Sequence, residues 1–276
     1  MPKVLTQQQI EQYHEQGFIS PIDVMSEGEA LSYKEKLEAA EREYPDEINA
    51  KNRNNPHLSF AFLDKLVHHP VIVDAVEDLI GPNISLWGTV LFIKDPQSSG
   101  YVSWHQDATY MGFNSNDFVT PWIALSPSNR ENGCMTMIPG SHRSHIRKHD
   151  DTFDDDNILT RGQVVSEVDT ASGVDLILRP GQMSLHHGET VHGSQPNRSQ
   201  QRRIGYALQA YMPPHIHQIL GKNQWLQIRG ENKRENNVDL TRPRFDMDPQ
   251  GVATRKFVNE NFANILYHGA KRKRAY

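Results

Sequence analysis

Trp104-His105-Gln106-Asp107-Ala108-Thr109 is the stretch on which the fold turns. It lies in a run, Val102 to Ala108, that reads as a β-strand, and a strand points successive side chains to opposite faces. His105 and Asp107 are therefore expected to share the interior face, an imidazole and a carboxylate aimed at one point. Gln106 is expected to face the other way. The pair is half of a site and needs both an enclosing sheet and a further partner.

Outward from this stretch the period of two continues. Ile84 to Ile93, Pro121 to Leu125, Cys134 to Ile138, Gln163 to Val168, Val174 to Leu178, Met183 to His187 and Ile204 to Met212 all read as strands between Gly, Pro, Asn and Ser clusters. Upstream of Ile84 the signals are helical. Thr6 to Gln9 forms a capping box, and the helix it opens stops at Gly17, with Phe18 and Ile19 extended beyond it. Ser26 opens a longer helix to about Tyr44, ended by Pro45. Pro70 starts a third, through Ile72, Val73, Val76, Leu79 and Ile80 to Gly81-Pro82. Helices followed by many strands predict a mainly β fold, a barrel or double-sheet jelly roll with a helical buttress. The segment from Arg143 to Arg161 is long, basic then acidic, and reads as a mobile excursion of the kind that forms lids. Gln218 to Ile228 and Thr254 to Tyr267 read as helices. One domain is expected over 1–276: a helical part 5–82, a β core 84–213 and a C-terminal extension 214–276.

The chain has 276 residues, 37% of them hydrophobic and 23% charged, ample for a substantial core. A formal charge of -5 gives no general attraction to nucleic acid, and a mean hydropathy of -0.66 argues against an integral membrane protein. No apolar run reaches the ~20 residues that span a bilayer. The polar N-terminus lacks a signal-peptide centre, and the lone Cys134 suits a reducing cytoplasm. A cytoplasmic protein with a small-molecule partner is expected, with no nucleic acid or membrane; oligomeric state is not readable. Fourteen histidines raise the prospect of a metal site.

Met183 to Ser194 carries three of those histidines, His186, His187 and His192. Any one of them beside His105 and Asp107 would give two imidazoles and a carboxylate. That set occupies one face of an octahedral ion and leaves the rest open, as in non-haem Fe(II) oxygenases. Spacing does not choose among the three. His192 is preferred because Gly193, Ser194 and Asn197 follow it, and then Arg202 and Arg203, whose planar guanidinium suits a distal carboxylate.

Trp104 to Tyr110, Trp122-Ile-Ala-Leu125, Glu131-Asn-Gly-Cys-Met-Thr-Met-Ile-Pro-Gly-Ser-His142, Val191-His-Gly-Ser194 and Arg203 together resemble phytanoyl-CoA dioxygenase-type enzymes. The resemblance runs from about Leu5 to Pro213 and includes Gln16-Gly-Phe18 and Ile80-Gly-Pro82. It implies a double-stranded β-helix of the cupin-like jelly-roll kind, with Fe(II) as metal and 2-oxoglutarate and O2 as cosubstrates. Carried over, His105, Asp107 and His192 are the metal ligands and Arg203 holds the distal carboxylate of 2-oxoglutarate. Ser194 matches a position beside that carboxylate, and Gln106 and Trp122 match positions near the cosubstrate. Lys94 also sits in a familiar place, without an assigned role. Related halogenases replace the carboxylate ligand with Ala or Gly, so Asp107 favours hydroxylation over chlorination. The implied reaction is hydroxylation of an unactivated C–H bond with release of succinate and CO2. No region obviously accommodates a CoA nucleotide, which favours a small polar metabolite: a 2-aminoethylphosphonate-like compound, an amino acid or a natural-product intermediate.

Plainer readings stand beside these. A closed structural zinc site prefers thiolates and a fourth ligand. Of His186 and His187, one is expected in the core and one facing the metal surroundings or substrate, with His187 taken as the substrate-facing one. Tyr110 is a candidate pocket residue, although an aromatic beside a strand is as often packing. The aspartates at 150, 151 and 154–156 lack EF-hand spacing and read as a solvated loop. Lys271 to Arg274 reads as a charged tail. Other functional classes sharing these residues are a non-catalytic β-helix scaffold, and oxygenases that desaturate, epimerise, close rings or act on an acyl-CoA.

Overall fold

The computed structural model describes residues 2–231 and 237–273. Helix α1 (Gln7–Gln16) leads into strand β1 (Phe18–Asp23), and α2 (Glu27–Glu43), α3 (Ala61–Val67) and α4 (Pro70–Ile80) follow. Then come β2 (Ile84–Lys94), β3 (Val102–His105), β4 (Val119–Ala124), β5 (Met135–Met137), β6 (His149–Asp151) and β7 (Gln163–Val165). The remaining elements are β8 (Val174–Asp175), β9 (Gln182–His187), β10 (His192–Ser194), β11 (Arg203–Met212), β12 (Gln224–Arg229), β13 (Val238–Asp239) and α5 (Pro249–Leu266). Local chemistry sets the helix ends. Thr6 and Gln9 close the capping box of α1, which stops at Gly17 in the left-handed region with φ 85°. Pro70 begins α4, where its missing N–H costs nothing.

Seven strands form a major sheet in the order β1-β9-β4-β11-β2-β12-β13, and four form a minor sheet, β3-β10-β5-β8. This is a mainly β, cupin-like double-stranded β-helix, with α1–α4 packed on the outer face of the major sheet and α5 against a separate cluster beside the cavities. Alternation along β11 shows how the layers are specified. Ile204, Tyr206 and Leu208 pack outward into the helical layer with Leu37, Leu63, Ile72 and Val76. Ala207 faces inward, where Phe18, Trp122, Met135 and Met137 fill the space between the sheets. A further cluster of Trp87, Phe113, Phe118, Trp225 and Phe262 lies under α5. A register shift falls between Ala207 and Tyr211 on the β11–β4 ladder, and Ala210 there has φ 58°. The bulge returns Tyr211 to the outer layer and leaves Gln209 on the inner one.

Three expectations are corrected. Gln218 to Ile228 is not helical: Leu226 and Gln227 pair with Leu86 and Ser85 of β2, so sheet pairing outweighs local propensity. Helix α3, missed in the sequence, is short and has no side-chain cap at its start. The strand expected to run to Ala108 stops at His105 and gives way to a 3₁₀ turn, Asp107–Tyr110. The excursion after Arg143 has its own hairpin, β6 with β7. Arg161 ties it to the end of α5 through the Leu266 and His268 carbonyls. Of the expected basic tail, Arg274 lies outside the described residues. Among the described residues no helix is long and apolar enough to cross a membrane.

Candidate metal centre and cosubstrate cavity

The sheet pairing brings two distant histidines together. His192 on β10 lies directly opposite His105 on β3, and their ring centroids are 4.1 Å apart. Asp107 reaches the same point from the 3₁₀ turn, not from the strand pleat, with Oδ1 3.4 Å from His105 Nε2 and 3.8 Å from His192 Nε2. One potential ligand atom from each residue lies within 4.8 Å of the others, and no further His, Cys, Asp or Glu among the described residues joins them. His105 Nδ1 is 2.9 Å from the Ser103 carbonyl and His192 Nδ1 is 2.9 Å from the Thr190 carbonyl. A carbonyl only accepts, so both protons sit on Nδ1 and both Nε2 lone pairs are free for an ion. Burial, then neighbouring His105, lowers His192 to about 3, which keeps it neutral. Burial alone would raise Asp107, but His105, His186 and His192 outweigh it and hold the carboxyl well below its usual range. Neutral imidazoles and an ionised carboxylate are the donor set a divalent ion needs.

The cavity lined by this triad also reaches Ser194 and Arg203, between walls of Phe92, Val102, Trp122 and Met135. Arg203 leads β11 and pairs with Lys94 at the end of β2. Both side chains are 1% exposed, and among the described residues neither forms an ion pair with an acid. Arg203 Nη1 donates to the Gly133 carbonyl at 2.6 Å, while its buried Nε has no partner. Lys94 Nζ bonds the Ser194 hydroxyl at 2.7 Å and the Gln195 carbonyl. Burial, offset only by Cys134, lowers Arg203 to about 10; burial and adjacent Arg203 lower Lys94 to about 6. A buried guanidinium beside a buried amine, with no acid among the described residues to pair either, makes a receptor for an anion, whose arrival would favour the charged amine. Trp122 presents its ring to the guanidinium, with the Arg203 carbon 5.3 Å from the ring centroid. The ring lies close because position 205 is glycine: a Cβ there would stand 1.7 Å from Trp122 Cζ2.

Two expected site residues lie elsewhere. Gln106 does not reach the cavity. Its amide nitrogen donates to the His145 and Glu189 carbonyls at 2.9 and 2.7 Å, and its oxygen accepts from Arg147 N at 2.7 Å. Gln106 therefore braces the start of the excursion. His187 faces the helical layer, with its ring 6.5 Å from Tyr13 and 5.4 Å from His142. His186, its neighbour, points inward and lines the cavity. The parity was available in the sequence, because apolar Met183 and Leu185 share a face with His187 and both are buried against the helices. Tyr110 lines a second cavity of about 330 Å³ that shares His105, Asp107, Phe92 and Gln209 with the first and extends to Trp87, Phe262 and Leu266. Its hydroxyl is engaged with Asp151 at 2.7 Å, beneath Arg161. Gln209, which shares the inward parity of Gly205 and Ala207, stands where the two cavities meet.

Comparison with known proteins agrees with this geometry. The sequence profile of the family described as phytanoyl-CoA dioxygenase (PhyH) matches residues 5–205. A probable alpha-ketoglutarate-dependent hypophosphite dioxygenase of Stutzerimonas stutzeri is 36% identical over 159 residues, 55% of this chain and 55% of that protein. Peroxisomal phytanoyl-CoA dioxygenase of Bos taurus is 30% identical over 182 residues, 64% of this chain and 52% of that protein. The chain thus spans about half the length of these curated relatives. Among solved structures, the non-heme monooxygenase ThoJ superposes with a TM-score of 0.80 at 28% identity, covering 92% of this chain and 99% of ThoJ. CytC3 with Fe(II) and alpha-ketoglutarate shares the fold, with a TM-score of 0.67 at 18% identity over 90% of this chain and 97% of CytC3. With a family profile spanning most of its length and the triad in place, the chain belongs to the phytanoyl-CoA dioxygenase (PhyH) family of Fe(II)- and 2-oxoglutarate-dependent oxygenases.

Proposed function

We propose that this protein is an Fe(II)- and 2-oxoglutarate-dependent hydroxylase of a small polar metabolite. His105, Asp107 and His192 would hold the ion, and Arg203, with Ser194 held in turn by Lys94, would receive the distal carboxylate of 2-oxoglutarate against the Trp122 face. The observation that carries this reading is one cavity lined both by an ionised acid among neutral imidazoles and by a buried guanidinium that pairs with no acid among the described residues. Bound Fe(II) with 2-oxoglutarate and O2 supplies oxidative decarboxylation to succinate and CO2, coupled to oxygen insertion into a C–H bond. The chain's own part is to orient and to exclude water. Phe92, Val102, Trp122 and Met135 give the cavity a dry wall, in which the Arg203 charge acts with little screening.

Asp107 in the ligand position supports hydroxylation over halogenation, because the carboxylate fills the place a halide would need. The substrate would occupy the cavity of about 330 Å³, with Gln209 offering an amide at its neck and Tyr110, Trp87 and Phe262 on its walls. That volume and its mixed lining suit a compact molecule with polar groups. A phosphorus-containing compound resembling 2-aminoethylphosphonate is the first candidate, given the relative named for hypophosphite. The test is substrate-dependent succinate release by Fe(II)-loaded protein across aminoalkylphosphonates, hypophosphite, amino acids and acyl-CoA thioesters. A small polar compound should stimulate release and emerge with one added oxygen. A product lacking that oxygen, or turnover confined to the thioesters, contradicts the proposal.

A further inference from the structure

The two oxygens of Asp107 face different neighbours. Oδ1 looks toward His105 and His192, at 3.4 and 3.8 Å. Oδ2 lies 3.2 Å from Nε2 of a third imidazole, His186. His186 is 2% exposed and comes from the major sheet, on β9, where it pairs with Phe18 and Thr120. Its ring centroid is 4.8 Å from that of His192. It nevertheless stays outside the group whose donor atoms converge on one point. The Asp107 carboxylate is ionised and only accepts, so the His186 proton belongs on Nε2, aimed at Oδ2. His186 Nδ1, left as a bare lone pair, is buried without a partner, so nothing on the far side of the ring competes for that proton.

We propose that His186 is a positioning residue for the metal centre: its Nε2–H holds Asp107 Oδ2 and so leaves Oδ1 alone to face the ion. This inference rests on the metal-centre reading above. A carboxylate with both oxygens free can chelate through both and take up an additional coordination position. Three protein donors on an octahedral ion leave three positions, two for a bidentate 2-oxo acid and one for O2. A chelating Asp107 would close one of them. His186 blocks that outcome and also fixes the carboxylate plane, which Asp107, on a short 3₁₀ turn, does not obtain from a strand. Hydrogen-bond partners of metal ligands commonly change metal affinity by about 10–100-fold.

The experiment uses the full chain with Co(II), whose visible bands report coordination number without turnover. His186→Phe removes the donor while keeping a ring, and His186→Gln restores an N–H donor of similar reach. Co(II) affinity is measured by calorimetry and the bands are recorded for the parent and both variants. His186→Phe should bind about 10–100-fold more weakly, with bands shifted to a different coordination, and His186→Gln should recover most of both. Parent-like affinity and bands in a folded His186→Phe protein would overturn the inference, as would a His186→Gln protein indistinguishable from His186→Phe. Where the Phe variant does not fold, His186→Leu takes its place with the same two outcomes. A parent chain that binds no Co(II) defeats the metal-centre reading itself, which separates the two failures.

Discussion

The metal centre and Arg203 share one cavity, with Lys94 behind Ser194 at its edge, and the two groups are built in opposite ways. At the centre a single carboxylate is surrounded by three imidazoles, and among the described residues no Lys or Arg balances its charge. At the other group Lys94 and Arg203 lie side by side on paired strands, both buried, with carbonyls and a hydroxyl as partners and no acid. A buried charge left unanswered costs folding energy and persists where a ligand answers it. The contrast supports the proposal that the centre holds a cation and that Arg203, with Lys94 beside it, receives an anion.

The contrast breaks most completely at Asp107. Asp107→Ala should abolish saturable Fe(II) binding and turnover, a larger effect than the ~10–100-fold typical of losing a group that only supports a ligand. Equilibrium dialysis followed by succinate assay reads both, and retained activity would sink the assignment. Arg203→Met tests the other end. Losing a charge-assisted hydrogen bond of about 1.5–3 kcal/mol should weaken 2-oxoglutarate about 10–100-fold while Fe(II) affinity stays unchanged. The ligand-free variant should be at least as stable as the parent, because an unpaired buried charge has been removed. A protein that unfolds more readily would show that Arg203 serves the fold.

Gly205→Ala sharpens the account at the wall between the two ends. The added methyl meets Trp122 and should cost about 1–3 kcal/mol by overpacking, read from denaturant midpoints, with weaker 2-oxoglutarate binding as the ring is displaced. Lys94 gives the smallest and most specific signal. Its folded value of about 6 lies far below an ordinary lysine near ~10.4, so between those pH values the unfolded chain holds a proton that the folded chain releases. Stability of the ligand-free protein should therefore gain a contribution that grows as pH rises from about 6 toward 10, and loses its slope below about 6. Lys94→Met should remove that contribution, and parallel stability–pH curves for parent and variant would contradict it.

Much of this architecture was legible in the sequence, for identifiable reasons. The capping box at Thr6, Pro70 at a helix start and the alternation through Ile204, Tyr206 and Leu208 are local signals, and local signals fix elements. Where the outcome depends on a partner strand, the sequence misleads: Gln224–Arg229 looks helical alone and becomes a strand on the edge offered by β2. In the site, His105 and Asp107 converge as expected by a different route, a turn in place of a pleat. His186, not His187, faces the cavity, as the apolar parity of Met183, Leu185 and His187 on the opposite face requires. Gln106 and Gln209 show what the sequence withholds. Gln106 is captured by the excursion, an event with no local signature, whereas Gln209 follows the inward parity of Gly205 and Ala207 and stands at the cavity only because β11 crosses beneath it.

The most direct test of the central claim is an anaerobic titration of Fe(II)-loaded protein with 2-oxoglutarate, followed by the weak visible charge-transfer band of the chelate. The account predicts a saturable band in the parent, none in Asp107→Ala, and the same band reached only at higher 2-oxoglutarate in Arg203→Met. A folded parent protein that gives no band, or an Asp107→Ala protein that gives the parent's, would contradict it.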